Sequence, residues 1–307
     1  MPEQARRKDL LFSAINWSLL IFCALVWGCS YYFIKKALIG FQPGELALIR
    51  IVSAAAFLLP FVFAAFKKIP AGKYPYVIIC AIAGNGLPIY LYPLAQTHIS
   101  SSLTGIVNSL TPLCTYILGV IFFRLHGSGM KLAGVLLGLA GATSLVLFKP
   151  GQGFQSDGDG IYLAVALLAP VLYGINGNVL KKYLSDLPGL QLTAIMYMLL
   201  LVPSLPLLFF TGIPGKVAAD EAAAGSLPYA LILGIAGTAI AMSLFNILLQ
   251  RTQIMFATSV SYMMPVVAVL IGVIDHEQVG WNEFLGLGLI LSGVILINRR
   301  ENPKPVS

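Results

Sequence analysis

Apolar residues in this chain come in blocks of about twenty, separated by short polar connectors. The alternating pattern of strands and the one-sided stripes of soluble helices are both absent. A helix that crosses a bilayer needs roughly 20 consecutive apolar residues. Ten blocks meet that need, at 15–36, 44–66, 75–97, 101–123, 130–148, 160–182, 189–211, 227–249, 255–275 and 281–298. The pattern therefore predicts an all-α integral membrane protein with ten transmembrane helices. Its longest polar stretches are 149–159 and 212–226. The first block follows Arg6, Arg7 and Lys8, as the core of a cleaved signal peptide would. It is longer than such a core, and its pattern returns later in the chain, so it reads as a retained span.

Composition agrees with the pattern. Hydrophobic residues make up 58% of the chain and charged residues 10%, against about 25% charged in soluble domains. The mean hydropathy is +0.87. This excludes a soluble enzyme, a disordered chain and a secreted disulfide scaffold. The net charge of +7 would suggest nucleic acid in a soluble chain. Here the basic residues sit between apolar blocks, with no Lys/Arg stripe interleaved with aromatics, so no nucleic-acid partner is expected. Their placement reads as topology instead. With the N-terminus inside, fourteen fall in inner segments, among them Arg6-Arg7-Lys8, Lys67-Lys68, Lys181-Lys182 and Arg299-Arg300. Only Lys35, Lys36, Lys149 and Lys216 fall outside, and Arg50 lies within a span. The expectation is a multi-pass protein of the cell (inner) membrane with both termini cytoplasmic. Cys23, Cys29, Cys80 and Cys114 all lie in apolar runs and read as small packing residues.

The chain also repeats itself. WGCSYYFIKK from Trp27 returns as YGINGNVLKK from Tyr173, an offset of 146 that also brings Glu45-Leu46 onto Gln191-Leu192 and Pro60 onto Pro206. The offset then becomes 153, pairing Pro75-Tyr76 with Pro228-Tyr229, Ala83-Gly84 with Ala236-Gly237, and Pro112 with Pro265. It ends at 152, with Gly134 on Gly286 and Gly141 on Gly293. A series in register across five spans marks a duplicated five-helix unit. Five is odd, so the second copy starts on the opposite side of the membrane. Inverted halves of this kind are a common construction of secondary transporters. The organisation expected is a cytoplasmic segment 1–14, a first repeat 15–148, an external linker 149–159, a second, inverted repeat 160–298 and a cytoplasmic tail 299–307.

Two inverted five-helix copies, each opening on a Trp/Tyr-Gly pair, resemble the EamA family of the drug/metabolite transporter superfamily. LIRIV around Arg50, the run from Asn108 to Pro112, and the glycine-rich GVLLGLAG and GLGLILSG segments of the fifth helices add to the likeness. It extends over essentially the whole chain. The resemblance implies export of amino acids or other small metabolites through a central cavity lined by helices 1, 3, 4, 6, 8 and 9. One departure is visible: the first repeat ends helix 4 with Phe122-Phe123-Arg124, where the second carries Glu277.

Polar residues cluster where that cavity is implied. Trp27, Ser30 and Tyr31 share a helical face, and Tyr173 and Asn176 occupy the matching positions. Asn85 and Tyr92 share a face with Pro88. Asn108 and Thr111 come from helix 4, Ser243 and Asn246 from helix 8, Ser259 and Tyr262 from helix 9. Amides and hydroxyls in hydrocarbon need partners. Singly, each glues helices together or lines a wet cavity. As a set across six helices they argue for a shared, neutral, aromatic-walled substrate cavity. Pro112 and Pro265 fall mid-span at equivalent positions and are candidate hinges. Arg50 is the only basic residue within a span and away from its ends. It is a possible charge site for a substrate carboxylate, but snorkelling to headgroups or pairing with Glu45 explains it more simply.

The leading expectation is thus a secondary transporter exporting small metabolites, amino acids first, by alternating access. A multidrug exporter of lipophilic compounds is the alternative, and a non-transporting scaffold or receptor the alternative of another class. No acidic residue lies mid-span for proton–cation exchange. No P-loop is present, no nucleophile–base pair stands out, and His98, His126 and His276 lie apart near span ends. Enzyme activity, a metal and a cofactor are therefore not expected. The partners expected are a small-molecule substrate and the lipid bilayer, with the protein a monomer or homodimer. The GxxxG from Gly134 to Gly138 would serve packing within the chain or between copies.

Overall fold

A computed structural model describes residues 3–66, 68–99, 101–125, 127–147, 160–264, 266–267 and 281–298. The described residues fold as helices, with no strand among them. In chain order they are α1 (Glu3–Ala37), α2 (Pro43–Phe66), α3 (Ala71–Gln96), α4 (Ser101–Asn108), α5 (Thr111–Phe123), α6 (Gly129–Leu147), α7 (Gly160–Tyr183), α8 (Gly189–Phe210), the short α9 (Ile213–Ala219), α10 (Glu221–Arg251), α11 (Ile254–Thr258) and α12 (Trp281–Asn298). Beyond a turn at Ser259 the chain is helical again over 260–264. Among the described residues, six helices are long and apolar enough to cross a membrane: Phe12–Ala37 of α1, Pro43–Phe63 of α2, α3, α7, α8 and α10. The other four expected spans coincide with shorter apolar helices. One is short because the fourth block breaks at Ser109–Leu110, between α4 and α5. Pro112 sits in the first turn of α5, where its missing N–H costs no helical bond. Pro265, the linker 149–159 and the tail 299–307 lie outside the described residues.

Large apolar side chains point outward around the bundle. Phe210 is 86% exposed, Phe63 76%, Ile161 69% and Phe122 68%. In water such a surface would be untenable, whereas against acyl chains it costs nothing. Backbone satisfaction within each helix meets the other demand of lipid.

Glycine decides two of the closest helix contacts. The second span of the first half, α2, lies against α10 at Gly234, where an added Cβ would come within 1.9 Å of Ser53 Oγ. The glycine-rich α6 and α12 cross face to face. A Cβ on Gly293 would fall 2.6 Å from the Gly138 nitrogen and 2.7 Å from the Gly134 oxygen. The GxxxG of α6 thus packs within the chain.

Two stretches wind more loosely than an α-helix. Ala81–Gly86 within α3 and Leu233–Ile240 within α10 are π-helical. They occupy positions that the 153-residue offset makes equivalent. Each is braced by a side chain bonding back five residues: Asn85 Nδ2 to the Cys80 carbonyl at 3.0 Å, and Thr238 Oγ1 to the Leu233 carbonyl at 2.8 Å. Asn85 and Thr238 are themselves one offset apart, as are Cys80 and Leu233.

The helix ends are tied across the bundle. Lys216 pairs with Glu45 at 2.7 Å, joining α9 to the start of α2. Lys73, in the first turn of α3, pairs with Asp186, between α7 and α8, and this holds the Asp186 carboxyl below its ordinary range. Arg251 Nε donates to Asn16 Oδ1 at 3.0 Å. Lys181 Nζ, near the end of α7, donates to the Leu249 and Thr252 carbonyls at 3.0 and 2.6 Å, satisfying acceptors that the C-terminus of α10 leaves open.

Candidate functional site

A cavity lies among α1, α3, α5, α7, α10 and the 258–264 segment, with α2 and α8 reaching it from behind. The volume inside it open to the centre of a water-sized sphere comes to about 100 Å³. Eight of the expected residues line it: Trp27, Ser30, Tyr31, Tyr92, Asn108, Thr111, Tyr173 and Asn176.

The wall from α1 is set by helical spacing. Trp27, Ser30 and Tyr31 fall on one face of an unbroken helix. Ser30 Oγ spends its proton on the Val26 carbonyl at 2.8 Å, so it offers the cavity an acceptor. Trp27 Nε1 donates to the Gly237 carbonyl at 2.8 Å, and its ring lies 5.2 Å from that of Phe245. The N–H therefore fastens α1 to the π-helical stretch of α10, and the ring faces the cavity. Tyr31 stands edge-on to Tyr92 at 6.4 Å, and Tyr173 tilts against Tyr92 at 6.2 Å. These three rings, from α1, α3 and α7, form one aromatic wall. Tyr92 Oη donates to Asn108 Oδ1 at 2.6 Å, and Asn108 Nδ2 faces Met264 Sδ at 3.2 Å. Thr111 Oγ1 donates to the Asn108 carbonyl at 2.7 Å, satisfying an acceptor left by the break between α4 and α5.

Five expected residues do not line the cavity. Asn85 lies behind it, accepting from Tyr197 Oη at 2.9 Å, and Gly84 lines the wall in its place. A π-helical stretch bonds i to i+5 and so offsets the face that an even 3.6-residue period would predict. On α10 the cavity face carries Met242 and Phe245. One position along, Ser243 Oγ bonds the Ala239 carbonyl at 2.7 Å, and Asn246 Nδ2 bonds Thr193 Oγ1 of α8 at 2.9 Å. Thr258, at the end of α11, and Ser261 beyond it line the cavity. Ser259 Oγ bonds the Phe256 carbonyl at 2.7 Å, and Tyr262 Oη bonds the Val135 carbonyl of α6 at 2.8 Å. Asn85, Asn246 and Tyr262 thus join helices to one another, while Ser243 and Ser259 bond back along their own segments.

Arg50 is neither snorkelling nor paired with Glu45. It is 9% exposed and lines the cavity, because Gly234 lets α2 approach so closely. Its Nη2 donates to Thr238 Oγ1 at 3.1 Å, and its Nε has no hydrogen-bond partner. Glu45 is taken by Lys216. Tyr197 and Thr238 were missed in the sequence, although two signals pointed to them. Thr238 is one offset from Asn85, and Tyr197 one offset from the neighbour of Arg50. Among the described residues, no Asp or Glu lines the cavity. A second, almost wholly apolar groove between α1 and α10 reaches the same Ser30 and Gly237, past Leu25 and Ile232 on the outer surface.

A helical bundle with an apolar exterior and an aromatic-walled interior cavity carrying a few polar groups is the build of a membrane transporter for small molecules. The chain belongs to the EamA-like transporter family, whose profile matches residues 15–147 and 160–299. Among named relatives, it is 25% identical over 284 residues to the uncharacterized inner membrane transporter YedA of Escherichia coli K12, covering 89% of this chain and 87% of YedA. It is 22% identical to a probable terminal-alkyne amino-acid exporter of Streptantibioticus cattleyicolor, covering 92% of this chain and 93% of that one. It is 26% identical to a probable amino-acid metabolite efflux pump of Escherichia coli K12, covering 91% and 93%. A solved crystal structure shares the fold, with a TM-score of 0.71 at 18% identity over 93% of this chain and 96% of that one.

Proposed function

We propose that this chain exports small metabolites, with amino acids the leading class, across the cytoplasmic membrane by alternating access. The observation that carries the reading is the composition of the cavity wall. Trp27, Tyr31, Tyr92 and Asn108 come from the first half of the chain, and Tyr173, Asn176, Phe245 and Ser261 from the second. A site shared between two halves opens to one side or the other as they rock. The halves are taken as inverted five-helix repeats, 15–148 and 160–298, with ten spans and both termini in the cytoplasm. The equivalent π-helical stretches support the repeat. The ties support the alternation, since each joins ends that an up-and-down order puts on the same side. Two relatives named for amino-acid export support the substrate class. The eight cavity-lining residues named above are proposed to contact substrate, with the break before Pro112 serving as a hinge.

Full-length protein reconstituted in liposomes should release preloaded L-leucine faster than protein-free liposomes do. No acceleration across a broad panel of amino acids and metabolites would refute the reading. The apolar groove reaching Ser30 and Gly237 favours a second reading, efflux of lipophilic compounds entering from the bilayer. Release of a lipophilic cation without release of any amino acid would favour it.

A further inference from the structure

Two buried atoms of cavity-lining side chains have no hydrogen-bond partner, and they are of opposite kind. Arg50 is a buried cation with one hydrogen bond, to a neutral hydroxyl, and its Nε is unpartnered. Asn176 is 3% exposed and its Oδ1 is an unpartnered acceptor. Both line the same space. A buried guanidinium without a counter-ion is costly, and Arg recognises carboxylates by a planar fork of donors. The Glu45 carboxylate, five positions earlier on α2, is held by Lys216, and among the described residues none lines the cavity.

We infer that Arg50 is the carboxylate-binding residue of the cavity, and that Asn176 Oδ1 receives a donor at the other pole of the same substrate. This rests on the cavity being the substrate site, as proposed above. The class selected is a monocarboxylate with an apolar or aromatic body. Its single charge matches one guanidinium, and its body lies against Tyr31, Tyr92, Tyr173 and Phe245. A dianion such as a phosphate monoester would bring a second charge with no cationic side chain among the lining residues to meet it. An α-ammonium would find Asn176 Oδ1 and the faces of the tyrosines, which attract cations. Thr238 is a positioning residue: its hydroxyl accepts from Arg50 Nη2 and is itself oriented by its bond to the Leu233 carbonyl.

The test compares three probes of one shape, L-leucine, L-leucinamide and 4-methylpentanoate, by concentration-dependent thermal stabilisation of the purified full chain. Wild type should half-saturate with L-leucine at a concentration roughly 10-fold or more below that for L-leucinamide, the weight of one charge-assisted hydrogen bond. Arg50→Gln should bring that ratio close to one. Arg50→Lys, which keeps the charge and loses the fork, should leave it in between. Asn176→Ala should remove the advantage of L-leucine over 4-methylpentanoate and leave the acid-over-amide preference in place. A wild-type ratio near one overturns the inference, as does an unchanged ratio in whichever of the two Arg50 variants folds. Binding of none of the probes, with no amino-acid release from liposomes, would overturn the export reading as well. Amino-acid release with a ratio of one would overturn only the role of Arg50.

Discussion

The indole N–H of Trp27 points at the backbone oxygen of Gly237, 2.8 Å away. This one bond joins α1, near the start of the chain, to the π-helical stretch of α10, some two hundred residues later. It holds the Trp27 ring against Phe245 on the cavity wall.

Trp27→Phe keeps most of the aromatic surface and removes the donor. A buried hydrogen bond contributes about 0.5–1.5 kcal/mol net, so initial L-leucine efflux should fall by roughly 2- to 10-fold with folded yield preserved. Asn108→Leu, which strips Tyr92 Oη of its acceptor, should lower flux in the same assay. Failure of both variants to fold would make these side chains structural only.

The crossing of α6 and α12 should tolerate no side chain. Gly293→Ala places a methyl group 2.6–2.7 Å from backbone atoms of Gly138 and Gly134, so the helices must separate. Overpacking of this kind costs about 1–3 kcal/mol, read as a lower midpoint in detergent thermal melts. Gly288→Ala, on the same helix with nothing within 4 Å of the added carbon, should leave the midpoint unchanged or slightly raised. Equal midpoints for the two variants would contradict the packing described.

Tyr197→Phe removes the donor to Asn85 Oδ1 and leaves a fully buried amide acceptor unsatisfied. A loss of about 1–3 kcal/mol is expected. Combining it with Asn85→Ala should cost less than the sum of the two single changes, because the same bond is lost twice. Strict additivity in chemical denaturation would show that the bond contributes nothing.

Lys73 and Asp186 tie the start of α3 to the connector after α7, and the folded-state pKa of Asp186 is depressed by that lysine. A depressed carboxylate contributes stability that is present above its unfolded value, 3.8, and lost as pH falls through the lowered folded value. Asp186 is exposed, so the effect is small and screened by salt. The melting difference between wild type and Asp186→Asn should be constant at neutral pH, start to shrink as pH falls through about 3.8, and vanish only below the lowered folded value. A difference that grows on acidification would refute the assignment.

How much of the site could be read in the sequence depended on the regularity of each helix. On α1 and α7, which are α-helical throughout, 3.6-residue spacing put Trp27, Ser30, Tyr31, Tyr173 and Asn176 on one face, and all five line the cavity. On α3 and α10 a π-helical stretch intervenes, and the cavity is lined by Gly84, Met242 and Phe245 in place of Asn85, Ser243 and Asn246. The turn at Ser259 separates Thr258 and Ser261 from the expected Ser259 and Tyr262 in the same way. Choosing residues for their polarity also worked against these positions. Inside lipid, an amide bonded to a neighbouring helix is as well satisfied as one facing a wet cavity, and nothing in its identity separates the two.

The sequence by itself determined the membrane setting, the family and the offset between halves. Each depends on composition and order along the chain, which apolar runs and recurring motifs display directly. Only the tertiary structure decided that Arg50 faces the cavity. That outcome required α2 to approach α10 at Gly234, Thr238 to be turned inward by a π-helical stretch, and Glu45 to be taken by Lys216 from the far half of the chain. Each is a contact between residues more than 170 positions apart. A buried charge takes its meaning from the groups that surround it, and those are assembled only when the helices pack.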